Sequence, residues 1–105
     1  MLTINQVVDI YRKGIEIILN NQPQKHTDMG RFDTDIMIYE KNINSPEQKD
    51  ITLLHELIHA RDGYLPKELT EAQMEEIDRK IDQEAVETYK KNPEILEFIK
   101  WLYEI

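Results

Sequence analysis

The chain has 105 residues, with 21 acidic against 13 basic side chains and a formal net charge of −8. That length holds one domain, near the lower limit at which a core stands without covalent or metal staples; the charge, with its basic residues scattered, argues against nucleic acid and anionic membrane as partners. The absence of cysteine excludes disulfides and thiolate ligands, so a metal could be held only by histidine and carboxylate.

Along the chain, Thr3 with Gln6 forms a capping-box pattern. Ile4, Val7, Val8, Tyr11, Ile15 and Ile18 follow at helical spacing, which predicts a helix over about residues 4–20. Residues 20–35 are polar and contain Pro23 and Gly30, the pattern of a loop or poorly paired strand. The run Ile36, Met37, Ile38, Tyr39 predicts a strand over about 36–42, with Arg31 and Phe32 in a partner strand of a small antiparallel sheet. Ser45, Pro46 and Gln48 open a second helix over about 46–61, and Gly63 with Pro66 ends it. Thr70 with Gln73 opens a third over about 71–91, with Met74, Ile77, Ile81, Ala85 and Tyr89 as its apolar positions. Asn92 and Pro93 break it and start a last helix carrying Ile95, Phe98, Ile99 and Leu102. The expected class is α+β, a mostly helical single domain over 1–105. The N-terminus has no basic start ahead of an apolar core, so no secretion signal is read there, and no apolar run approaches the length of a membrane span. With no cysteine to oxidise, a reducing, cytoplasmic location is expected.

The second helix carries the chemistry, in the stretch LLHELIHARD, residues 53–62. At about 100° per residue, His55 and His59 stand about 40° apart and one turn up the same face, so two imidazoles can meet one metal ion. Glu56 projects about 60° from His59, beside such a metal but outside its ligand set, where a carboxylate can take a proton from water. Leu54, Leu57 and Ile58 fill the other directions and predict a buried helix. Ionisable groups that are buried without partners cost several kcal/mol, on the order of 2–7 for polar groups, so packing alone gives no reason for this pattern.

A catalytic zinc ion takes three protein ligands and keeps one position open. Of the carboxylates downstream, Glu84 is the best placed, because it shares the apolar stripe of Ile77, Ile81 and Ala85; Asp82 is next. Glu71, Glu75, Glu76, Asp78 and Glu87 read mostly as solvated charge on the outer face. His26 is the third histidine but lies in the Pro/Gly-bounded loop.

His55, Glu56 and His59 in HELIH, followed by a helix containing Gln83, Glu84 and Ala85, resemble the gluzincin group of zinc metallopeptidases. In order and length the chain is most similar to the minigluzincins, small peptidases that correspond to the catalytic cores of membrane-bound prenyl-protein peptidases. Only HELIH is highly specific. The resemblance implies a zinc endopeptidase that binds Zn²⁺ through His55, His59 and Glu84, with Glu56 as general base and acid acting on a zinc-bound water and peptide or protein as substrate. Thr88 stands where these families place an aspartate supporting the first histidine, which passes that role to Glu87; the register of the membrane branch would select Asp82 as ligand instead. The resemblance also implies that the strand Ile36 to Asn42 offers the edge on which an extended substrate pairs. His26, Tyr64, Tyr89 and Arg61 are candidates for an added oxyanion stabiliser. Residues 93–105 read either as simply the last core helix or, since minigluzincins are held latent by their C-terminal segments, as a segment that closes the cleft or is exchanged in a homodimer. The apolar residues of that segment cover more than one face. Two other readings are open: a regulator-cleaving HExxH peptidase, and a non-catalytic helical interaction protein with structural zinc.

Overall fold

The computed structural model describes residues 1–63 and 68–105. Tyr64 and Pro66, singled out above as a stabiliser candidate and a helix stop, lie outside them. Among the described residues, four helices accompany a small three-stranded sheet, as the composition and periodicity lead one to expect of an α+β domain. Helix α1 spans Ile4–Arg12, and its capping box forms as predicted, the Thr3 side chain accepting from the Gln6 N–H while Gln6 reaches back to the Thr3 N–H.

Helix α1 ends eight residues before the predicted limit, and the reason is local. Gly14 takes φ of +80°, a conformation that stops a helix and suits glycine. The β-branched run beyond it becomes strand β1, Ile17–Asn20. Strand β2, Gly30–Phe32, and strand β3, Ile36–Tyr39, complete the sheet in the order β1-β3-β2. β2 pairs antiparallel with β3, as anticipated for Arg31 and Phe32. β1 pairs parallel with β3, Ile17 opposite Ile36, so the sheet is mixed and not purely antiparallel. β3 is consequently the central strand, with Ile36 and Ile38 fully buried. Its predicted last residues, Glu40–Asn42, form a 3₁₀ turn instead.

Helix α2, Pro46–Asp62, starts on the Ser45 cap with proline in its first turn and stops at Gly63, whose φ is +82°. Helix α3, Glu71–Lys91, opens with the Thr70/Gln73 capping box. Helix α4, Glu94–Tyr103, is the last element. α2 runs through the middle of the molecule: Leu53, Leu54, Leu57 and Ile58 are buried against Val7 and Ile10 of α1, the β3 isoleucines, Ile81 and Ala85 of α3, and Ile95, Leu96 and Ile99 of α4, all in one cluster. α4 is therefore a core helix of its own chain. Its end is pinned by the Tyr103 hydroxyl donating to the Ile15 carbonyl at 3.0 Å, by the Tyr103 ring edge-on to Tyr11, and by the Lys100–Asp50 ion pair at 3.1 Å.

Candidate metal centre

The polar side of α2 opens into a cleft of about 890 Å³, walled by α2, by the segment Thr27 to Phe32 and by the start of α3. His55 and His59 face into it from successive turns, with side chains 15% and 19% exposed. Their Nε2 atoms are 3.1 Å apart. The third member of the group is Asp78 of α3, whose Oδ1 lies 3.0 Å from His55 Nε2 and 3.3 Å from His59 Nε2.

Three donor atoms separated by 3.0, 3.1 and 3.3 Å make a nearly equilateral triangle. Ligands held at about 2.0–2.1 Å around a tetrahedral ion such as zinc stand about 3.3 Å apart, so the spacing of the donors matches that of a metal-ligand set. His55, His59 and Asp78 form a group that can hold a metal ion. Burial, and next to it the neighbouring His55 ring, hold the His59 pKa below its ordinary value, which favours the neutral imidazole that binds metal. The other ring nitrogen of His55, Nδ1, faces Asp82 Oδ1 at 3.5 Å, a placement that orients the ring.

Glu56 is only 7% exposed, lines the same cleft, and has no hydrogen-bonding or ion-pair partner among the described residues. Burial pushes its pKa up to about 7; His55 opposes the rise, while Asp78 and Asp28 add to it. A carboxyl group near neutrality beside a metal-ligand set can both accept and return a proton at physiological pH. Its position depends on Gly30: a Cβ there would come within 2.8 Å of Thr52 Cγ2 and 3.0 Å of Glu56 Cγ, so only glycine lets β2 lie this close to the helix.

The residues named from the sequence divide accordingly. His55, His59 and Glu56 come together as the spacing predicts. Glu84, expected as the third ligand, points to the other side of α3, where Arg61 holds its carboxylate in a two-point pair. Asp78, read from the sequence as solvated surface charge, takes the place beside the histidines although 62% of its side chain is exposed. Its signal was a matched spacing, since Asp78 precedes Ile81 by three residues as His55 precedes Ile58. Asp82 lies beside His55 as a support, and Glu87, the expected support, pairs with Lys91 on the surface. Thr88 is buried and tied to the Leu2 N–H and the Glu84 carbonyl. Of the oxyanion candidates, His26 packs edge-on against Tyr39, Tyr89 packs on the core and Arg61 is engaged by Glu84; none of the three lines the cleft.

Two expectations about the cleft are corrected. β3 cannot offer a free edge, because β1 and β2 occupy both of its sides; the edge strand on the cleft is β2. No residue of α4 lines the cleft, so in this chain the C-terminal segment does not close it. Among the described residues, no helix is long and apolar enough to cross a membrane. Comparison of the chain with protein families, with curated proteins and with solved structures found no match.

Proposed function

We propose that this chain is a zinc-dependent peptidase, with His55, His59 and Asp78 holding the ion and Glu56 moving the proton. The observation that carries the reading is the donor triangle set beside Glu56, a largely buried side chain that lines the open cleft and has no partner among the described residues. A structural zinc is enclosed by four protein ligands, whereas a catalytic one keeps an open position. The group here has three members and faces the cleft, which favours catalysis over the reading as an interaction protein with structural zinc.

Zinc, when bound, supplies a Lewis acid for the substrate carbonyl and raises the acidity of water in the cleft. Glu56 accepts a proton from the attacking water as its oxygen bonds to the carbonyl carbon. It then gives that proton to the amide nitrogen as the C–N bond breaks, leaving a carboxylic acid and an amine. Asp82 keeps the His55 ring turned toward the ion. Peptide is favoured as substrate because β2 is an edge strand along the cleft, and its main chain can hydrogen-bond an extended segment. Met29, Phe32 and Ile51 give that segment apolar contacts. A cytoplasmic site of action fits the cysteine-free composition.

The test is metal content together with cleavage of an unfolded protein by the purified chain. Glu56→Gln should retain zinc and lose at least about 100-fold in turnover, the usual scale of a general base. A purified chain that takes up no zinc, or a Glu56→Gln variant that cleaves as well as the parent, would sink the reading.

A further inference from the structure

We infer that Arg61 and Glu84 are positioning residues for the metal centre: their ion pair sets the roll of α3 that brings Asp78 to the two histidines. The inference rests on the metal-site reading above and adds to it a device remote from the donor atoms.

The geometry of the two helices carries it. On α3, Asp78 and Glu84 lie three residues before and three after Ile81, which at about 100° per residue places them about 60° to either side of that buried side chain. On α2, His55 and Arg61 flank buried Ile58 in the same way. The contacts join like to like, His55 with Asp78 and Arg61 with Glu84, and both link residues 23 apart. The helices are thus pinned on both sides of a shared apolar seam, by the metal-ligand group on one and by a guanidinium–carboxylate pair on the other.

Asp78 has little else to fix it. Its side chain is 62% exposed, and the buried residues of α3 begin only at Ile81, so the turn that carries Asp78 is held to the core by the partly buried Ile77 alone. A roll of α3 by about 20° would carry an atom at the helix's outer radius by about 2 Å, the length of a metal–ligand bond. The apolar seam tolerates such a roll more readily than the ion pair does, because the pair is bidentate and directional. Both guanidinium Nη atoms donate to Glu84, one at 3.0 Å, while Nε donates to Asp62 at 2.8 Å and fixes the plane of the fork. The Arg61 and Glu84 side chains are 22% and 25% exposed, so the pair is largely removed from water.

The experiment is Co²⁺ or Zn²⁺ affinity in the full chain, by competition with a chromophoric chelator, read beside helix content and the visible spectrum of bound Co²⁺. Arg61→Gln and Glu84→Gln should each weaken binding by about 10–100-fold, the scale of losing a residue that orients a ligand. The exchange of both charges, R61E with E84R, should recover most of that loss. Arg61→Lys and Glu84→Asp keep the charge while breaking the two-point geometry, and should fall in between; they serve if the neutral variants do not fold. If Glu84 were itself a ligand, Arg61→Gln would bind as tightly as the parent or tighter, and the exchanged pair would bind no better than Glu84→Gln. Either result overturns the inference while leaving the metal site standing. A parent chain that takes up neither ion overturns the metal-site reading, and the inference falls with it.

Discussion

At the residue scale, the sharpest physical statement concerns Glu56. It is 7% exposed and has no hydrogen-bonding or ion-pair partner among the described residues, and its pKa lies at about 7 against an ordinary 4.5 because burial penalises the charged form. The folded chain therefore binds this proton more tightly than the unfolded chain. Below pH 4.5 both states carry it and folding is not taxed. As pH rises to about 7 the unfolded state gives up its proton first, so stability falls across that window and stays lower above it. A shift of this size corresponds to about 3 kcal/mol. In chelator, urea melts of the parent and of Glu56→Gln should agree below pH 4.5, and at pH 8 the variant should be the more stable by up to that amount. Equal pH dependence in the two proteins would show that Glu56 is not the buried acid described. A group kept at such a cost beside residues that can hold a metal ion is what the proposed proton transfer would require.

Elements decide what the residues can reach. α2 brings His55, Glu56 and His59 together by its own periodicity, so this part of the site needed no tertiary information. β2 and α3 bring Gly30, Asp78 and Asp82 to it from elsewhere in the chain. α4 belongs to the core and not to the cleft: Ile95 and Ile99 are fully buried and Leu96 nearly so, each worth about 1.5–3 kcal/mol of burial. Removing residues beyond Asn92 deletes all three, a loss comparable with the whole stability of a domain this size, about 5–15 kcal/mol. The truncated chain should lose its cooperative thermal transition and its cleft together. A truncated chain that melts cooperatively and cleaves faster than the parent would restore the tail as an inhibitor.

For the whole molecule, one core of modest size carries every element, so ligand binding and folding are thermodynamically linked. Zinc at 100 times its dissociation constant should stabilise the fold by about 2.7 kcal/mol, and chelator should reverse this. The increment should shrink for Asp78→Asn, which removes a charged donor, and fall with added salt, because a chain of net charge −8 attracts the cation at long range. A melting temperature unmoved by zinc at millimolar concentration would count against the site as a whole.

What could be read from the sequence, and what could not, follows from the range of the interactions. The caps at Thr3, Ser45 and Thr70, the span of α3 and the face shared by His55 and His59 all depend on residues within a few positions of one another, where backbone geometry leaves little choice. Periodicity misjudged the residues after Gly14, because Ile15 and Ile18 satisfy a helical stripe and a strand alike; pairing with β3 settled the matter. It also ranked Glu84 above Asp78, although both flank the same buried stripe, about 60° to either side. Local chemistry alone determined that two histidines and a glutamate would share one helix. Only the packing of α3 on α2 decided which carboxylate joins them, because the answer depends on the roll of one helix against another and not on any property of either segment alone.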